Sequence, residues 1–98
     1  MKIKKGVKLP TGVAIGIALQ IIDPILREHN QELVLTSYLD GKHSKGSLHY
    51  VGLAIDLRTW DITTPKDCVR EMQKALGEDF DVILERDHIH LEYQPEGL

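Results

Sequence analysis

Two stretches of the chain carry apolar side chains at the three- to four-residue spacing of an amphipathic helix. The first extends over residues 11–29, where Thr11 is suited to cap the amino end and Pro24 should kink the helix or split it in two. The second extends over 65–76, where a threonine cap and a proline at the first helical position precede the apolar positions, and it should end at Gly77. The pattern therefore predicts two helices.

Four shorter stretches have the composition of β-strands. They cover residues 32–38, 53–60, 80–84 and 88–93. A polar, glycine-containing loop over 39–47 separates the first two. The order helix, two strands, helix, two strands predicts an α+β fold, in which a small antiparallel sheet is flanked by helices on one side.

Composition limits the class of protein. The chain has 98 residues, of which 42% are apolar, which suits one small globular domain over residues 1–98, and we expect a monomer. The net charge is −3 and no run of basic residues exceeds two, so we expect no nucleic-acid partner. The single cysteine, Cys68, excludes an intrachain disulfide framework and a cysteine-rich zinc finger, and we expect a buried thiol.

The amino-terminal region has part of the pattern of a signal peptide. Basic residues precede a mostly apolar run over 12–22, but the run ends without a small-residue cleavage pattern. It is also shorter than the roughly 20 apolar residues that span a bilayer. We therefore interpret it as part of a buried first helix, expect no transmembrane segment, and leave the cellular location open.

The last two predicted strands form a hairpin if Arg86 and Asp87 make a two-residue turn, since Glu85 then faces His88 and Ile83 faces His90. Side chains alternate along a strand, so one face of this hairpin is apolar throughout. The opposite face carries Asp81, Ile83, Glu85, His88, His90 and Glu92. So many acids and histidines on one face predict that it lines a cleft.

Three residues on neighbouring elements predict a metal site. His49 ends the polar loop, and Asp56 lies inside an apolar strand, where a carboxylate is costly unless it is paired, hydrogen-bonded or bound to a metal. Gly52 permits the sharp turn that would bring His49 back over the strand. Together with His90 of the hairpin, these residues would form a His2Asp set, which suits zinc with one position open for water. Taken singly, each feature has an ordinary explanation. His49 is then a surface histidine, Asp56 a hydrogen-bonded acid, and the His88/His90 pair a chance match.

The pattern S-x-H-x-x-G-x-A-x-D over residues 47–56, followed by H-I-H over 88–90, resembles the zinc peptidases that cut bacterial cell-wall peptides. That group includes D-alanyl-D-alanine carboxypeptidases and dipeptidases, phage L-alanyl-D-glutamate endopeptidases, and the Hedgehog signalling domain that shares their fold. The similarity covers about residues 34–93. It implies a Hedgehog/DD-peptidase-like fold, Zn²⁺ as the cofactor, and His49, Asp56 and His90 as its ligands.

The resemblance also implies a general base, a glutamate or aspartate shortly before the last ligand. Glu85 is predicted to share a face with His90 and resembles the acid of the Hedgehog type. Asp87 stands three residues before His90, as in the phage endopeptidases, and Glu85-x-x-His88 has the spacing of the dipeptidases. Of the two acids, we prefer Glu85.

Two further histidines are candidates for a catalytic role. His43 stands six residues before the first ligand, where Hedgehog-type sequences also carry a histidine. Either His43 or His88 is suited to stabilise a developing oxyanion with a hydrogen bond. The family's arginine in its S-x-Y-R stretch is replaced by Leu39, so another cation would have to hold a substrate carboxylate. The candidates for that role are Lys42, Lys45 and Arg58.

These inferences lead to one principal hypothesis. The chain is expected to be a zinc metallopeptidase, of the cell-wall carboxypeptidase or endopeptidase type, that hydrolyses an amide bond in peptidoglycan stem peptides by metal-activated water. The alternative is a catalytically silent, zinc-bound Hedgehog-like module that binds a protein partner, because one fold supports several functions. A third hypothesis is a structural domain without metal.

Overall fold

Residues 1–8, 12–38 and 52–95 are described by the computed structural model, and they contain five strands and two helices. The strands are β1 (Lys2–Ile3), β2 (Val34–Ser37), β3 (Ala54–Arg58), β4 (Phe80–Leu84) and β5 (His88–Tyr93). The helices are α1 (Val13–Glu28) and α2 (Pro65–Leu76). The α+β class predicted from the sequence is confirmed, and α2, β4 and β5 have the predicted bounds.

The strands form one sheet in the order β1-β2-β3-β5-β4. The pairs β2–β3, β3–β5 and β5–β4 are antiparallel, as predicted, but β1 runs parallel to β2 and makes the sheet mixed. The expectation of a purely antiparallel sheet is therefore wrong at this edge. β1 is only two residues long, too short to show the period-two alternation by which a strand is recognised.

Both helices pack on the same face of the sheet and form the core with it. The buried positions of α1 are Ile15, Ala18, Ile22 and Leu26, and those of α2 are Cys68 and Met72. The sheet contributes the fully buried side chains Leu35, Ile55, Leu57, Ile89 and Leu91. Burying these apolar positions on one face leaves the opposite face mainly to the polar residues of the strands, although Ile83 is exposed there.

Helix α1 continues through Pro24 as one element, so the predicted split does not occur. Proline removes one backbone donor, but the four buried apolar positions of α1 lie on both sides of it and hold the helix against the sheet. The N-cap position of α1 is occupied by Gly12, which has no side chain with which to cap the helix. The predicted cap, Thr11, is outside the described residues.

Helix α2 begins at Pro65 and ends before Gly77, as predicted. Thr64 occupies the N-cap position, but its side chain makes no capping hydrogen bond, so that part of the prediction is wrong. Gly77 has φ +83°, in the left-handed region that glycine enters without steric cost. Cys68 is a fully buried thiol, as expected. Within the described ranges, neither helix is long and apolar enough to cross a membrane.

The β4–β5 hairpin has the predicted register. Phe80 pairs with Tyr93 and Ile83 with His90, and the backbone N–H of Glu85 donates to the carbonyl of His88 at 2.9 Å. Arg86 and Asp87 therefore form the turn. The polar side chains of the hairpin share the sheet face that faces away from the helices.

Candidate metal centre

The polar face of the sheet is built around strand β5, which pairs with β3 on one side and with the edge strand β4 on the other. Across the β3–β5 pair, Asp56 is opposite His90 and Arg58 is opposite His88. On the other side of β3, a β-bulge before Ser37 places that residue opposite Asp56. The register thus brings residues that are distant in sequence to one small area of the sheet.

Asp56 and His90 are in direct contact across the two strands. The imidazole Nδ1 of His90 lies 3.0 Å from the Asp56 carboxylate Oδ1. Asp56 is only 9% exposed, while its neighbours Ile55 and Leu57 point into the core on the other face. The predicted metal ligands Asp56 and His90 therefore lie side by side, with their donor atoms converging.

His90 contacts a second carboxylate through its other ring nitrogen. Its Nε2 lies 2.8 Å from Oε1 of Glu92, which is two residues further along the same strand. The hydrogen bond to Asp56 raises the pKa of His90 above its ordinary value of 6.5, with a further contribution from Glu92, although partial burial acts in the opposite direction. The two carboxylates fix the orientation of the ring.

His88 lies between Asp56 and the turn acid Asp87. Its Nδ1 donates to Oδ1 of Asp87 at 2.7 Å, and its Nε2 lies 3.6 Å from Oδ1 of Asp56. The hydrogen bond from His88 lowers the pKa of Asp87 below its ordinary value of 3.8, so this exposed carboxyl is ionised at neutral pH. His88 therefore links the predicted metal ligand to a candidate base.

Asp56, Asp87 and His88 open into a cleft of about 370 Å³. Its lining consists of Lys4, Thr36, Ser37, Asp56, Arg58, Trp60, Asp87 and His88. The volume is within the range of roughly 300–1,000 Å³ that is usual for small-ligand sites. The prediction that the hairpin's polar face lines a cleft holds only in part. His88 belongs to the lining, but the other members of the predicted face do not: Asp81, Ile83, Glu85, His90 and Glu92.

The two candidate bases differ in their relation to this cleft. Asp87 lines it together with Asp56 and His88, whereas Glu85 is exposed and is not part of its lining. Glu85 still belongs to the polar side of the hairpin by its pairing with His88. The geometry favours Asp87, although the sequence alone led us to prefer Glu85.

Two predicted site residues, His43 and His49, lie outside the described residues. Gly52, which begins the described part after them, has φ +76°, the left-handed conformation expected of the turn before β3. The role of His49 as a ligand therefore stays a prediction, as does that of His43 in stabilising an oxyanion.

The donor chemistry of Asp56 and His90 fits zinc. One carboxylate and one imidazole, with no thiolate nearby, are two of the three ligands of a His2Asp site. Among residues 1–8, 12–38 and 52–95, no group of three or more histidine, cysteine, aspartate or glutamate side chains is arranged to hold a metal ion. The described part of the chain contains two of the three predicted ligands, Asp56 and His90, and the third, His49, lies outside it.

Sequence analysis missed two residues of this face. Glu92 was placed on the correct face but not identified as the partner of His90. The signal for that contact was present in the sequence, because side chains two residues apart on one strand are neighbours on the same face. Lys4 lines the cleft because it follows β1, which is too short to predict. Arg58 was named as a candidate, and it lines the cleft together with Trp60.

No protein-family model matches the chain, and a search of curated proteins finds no match.

Proposed function

We propose that this protein is a zinc-dependent peptidase that hydrolyses an amide bond in peptidoglycan stem peptides. The observation that carries the proposal is the pairing of Asp56 with His90 across β3 and β5, at 3.0 Å and beside a cleft. These two residues are the second and third ligands implied by the motif resemblance. A buried carboxylate and a histidine converging on one point are the arrangement that a metal-activated hydrolase needs.

Zinc would be held by His49, Asp56 and His90. When bound, it would polarise the scissile carbonyl and lower the pKa of a bound water to near neutrality. Glu92 has the position of a supporting residue, because a metal-ligating histidine commonly donates its second ring N–H to a carboxylate. His90 would then use Nδ1, which lies on the side of Asp56, to hold the metal, and its Nε2–H would donate to Glu92.

Asp87 is the general base in this proposal. Its carboxylate is ionised, lines the cleft, and has Oδ1 engaged by His88, while the side chain as a whole is 85% exposed. The carboxylate takes the proton of the attacking water and returns it to the nitrogen of the leaving amine. His88 orients the carboxylate through the hydrogen bond from its Nδ1–H.

The test is hydrolysis of purified peptidoglycan and of synthetic stem peptides by the zinc-loaded protein, measured as newly released amino groups. Asp87→Asn should lower the rate by about 10²- to 10⁴-fold, the usual contribution of a general base. Glu85→Gln makes the same chemical change two residues away and should alter the rate less than about threefold. Zinc content should be equal in all three proteins.

Two other results would change the proposal. A rate lost in Glu85→Gln but kept in Asp87→Asn would transfer the role of base to Glu85. Stoichiometric zinc without hydrolysis of any substrate by the wild type would overturn the enzymatic function and favour the zinc-bound binding module.

A further inference from the structure

The outer edge of β4 is hydrogen-bonded by one side chain of the neighbouring helix, Gln73 of α2. We propose that Gln73 keeps the protein monomeric by occupying backbone groups of β4 that would otherwise pair with β4 of a second copy of the chain. This inference goes beyond the proposed function and depends on neither zinc nor hydrolysis.

β4 is the longer of the two edge strands of the described sheet. The sheet ends at β1 on one side and at β4 on the other. β1 has only two residues, whereas β4 has five, Phe80–Leu84. An edge strand presents backbone N–H and C=O groups that pair readily with another chain, and very short edge strands offer few of them. β4 is therefore the edge at which two copies of the described sheet would join.

Alternate residues of β4 direct their backbone groups away from β5. The N–H of Gln94 donates to the carbonyl of Asp79 at 2.7 Å, and the N–H of Glu85 donates to the carbonyl of His88 at 2.9 Å. In the antiparallel register of the hairpin, the odd-numbered residues between these two contacts also bond to β5. The even-numbered residues then direct their N–H and C=O groups to the outer edge: Phe80, Val82 and Leu84.

The carboxamide of Gln73 takes the place of a neighbouring peptide group at this edge. Its Oε1 accepts from the Val82 N–H at 2.9 Å, and its Nε2 donates to the Phe80 carbonyl at 2.6 Å. Nε2 also donates to the Gly77 carbonyl at 3.0 Å, so both of its hydrogens are engaged. A side-chain amide has the same kinds of donor and acceptor as a peptide unit. Gln73 therefore satisfies two outward groups of β4 without the addition of a strand.

The sequence of β4 suits pairing with a second copy of itself once Gln73 is removed. In an antiparallel pair with Val82 opposite Val82 of the second copy, Phe80 is opposite Leu84. This register bonds the outward groups of all three residues and continues the apolar face across the two copies. It also places Asp81 opposite Ile83. A register centred on Asp81 would instead bring two carboxylates together, which is unfavourable.

The test is the oligomeric state of Gln73→Ala, measured by sedimentation equilibrium. The wild type should remain a monomer up to about 1 mM, whereas the dimer Kd of the variant should be at least about tenfold lower, at about 100 μM or below. Gln73→Met keeps the length of the side chain but has neither the amide donor nor the acceptor, and it should also form a dimer. Gln20→Ala is the matched control at an exposed position of α1, and it should stay monomeric.

Two charged variants of Ile83 test the register of the dimer. Ile83 is 43% exposed and would be opposite Asp81 of the second copy. In the Gln73→Ala background, Ile83→Lys should therefore lower the dimer Kd and Ile83→Asp should raise it. Each change should be about 2- to 30-fold, the effect of two symmetric cross-strand charge pairs.

Hydrogen exchange of the Val82 N–H gives an independent measurement. This N–H should be protected in the wild type, because it donates to Gln73. It should exchange faster in Gln73→Ala at concentrations where the variant is monomeric, and regain protection as the dimer forms.

Four results would overturn the inference. The first is a folded Gln73→Ala and a folded Gln73→Met that both remain monomeric at about 1 mM, and the second is a wild type that dimerises as tightly as they do. The third is a dimer in which the Val82 N–H stays unprotected, or to which Ile83→Lys and Ile83→Asp make the same difference, because its interface would lie elsewhere. Unfolding of both Gln73 variants is the fourth, since it would give Gln73 a purely structural role.

Discussion

Asp56 and His90 are 34 residues apart in sequence and stand directly opposite each other on β3 and β5, with Oδ1 and Nδ1 separated by 3.0 Å. Neither residue is at the end of a strand or in a loop, so both are held by the hydrogen bonds of a paired antiparallel ladder. A site built on paired strands is more rigid than one built on loops, and its donor atoms need little rearrangement to bind a cation.

Replacing Asp56 should abolish tight zinc binding without unfolding the sheet. Asp56→Asn keeps the shape of the side chain but removes the charge, and we expect affinity for zinc to fall by at least about 100-fold. Competition with a chromophoric chelator measures the change. Asp67→Asn, at an exposed position of α2, makes the same substitution away from the cleft and should leave the affinity unchanged.

Removing zinc should lower the stability of the wild type. A ligand that binds only the folded state at about 100 times its Kd adds about 2.7 kcal/mol, which for a chain of this size corresponds to a Tm higher by about 10–20 °C. Thermal unfolding with zinc and with excess chelator measures the difference. His90→Gln should show no such difference, and a wild type with the same Tm in both conditions would contradict the metal centre.

Gly52 should not tolerate a side chain. Its φ of +76° is unfavourable for other residues, and a Cβ there would lie 2.7 Å from Oη of Tyr38, which is only 5% exposed. We expect Gly52→Ala to lower the free energy of unfolding by about 2–3 kcal/mol, measured by urea denaturation.

Two further variants separate the causes of this effect. In a Tyr38→Phe background the hydroxyl is absent, so the cost of Gly52→Ala should fall to about 1 kcal/mol, the contribution of the backbone conformation. Gly16→Ala is the control, since Gly16 lies inside α1 with open space around its Cβ position, and it should raise stability by about 0.5–1 kcal/mol. Equal effects at both glycines would contradict the proposed strain.

The sequence was most informative where the hydrophobic pattern and the turn chemistry agreed. For β4 and β5, a one-residue slip would have mixed acids into the apolar face, so the pattern permitted one register and the structure has it. That register placed His90 on the polar face. The motif then predicted Asp56 as its partner, and the two are in contact.

Other features depend on tertiary contacts that no local pattern encodes. Pro24 predicts a kinked or split helix when only the backbone is considered, but α1 packs against the sheet on both sides of Pro24 and is one continuous element. The parallel edge strand β1 is too short to show alternation, and with it the position of Lys4 in the cleft was not predictable. Asp87 lines the cleft and Glu85 does not, a difference between the two candidate bases that sequence spacing does not give.

Cys68 should make the protein less stable at alkaline pH. The thiol is fully buried, and this burial, with a smaller contribution from the charge of Glu71, raises its pKa from 9.0 to about 11. Because the folded state holds the proton more tightly than the unfolded state, the stabilising contribution is complete below pH 9 and is lost as the pH rises through about 11. At about 1.4 kcal/mol per pKa unit, the full loss is about 3 kcal/mol.

Comparison with Cys68→Ala isolates this contribution. At pH 8 the variant should be less stable by on the order of 1 kcal/mol, because Sγ packs in the core 3.9 Å from the Met72 sulfur. Lysines and tyrosines titrate in both proteins, so their contributions cancel in the difference. As the pH rises from 9 to 11, urea denaturation should show the wild type losing its advantage and falling below the variant. Parallel pH profiles would mean that the folded protein does not protect the thiol proton.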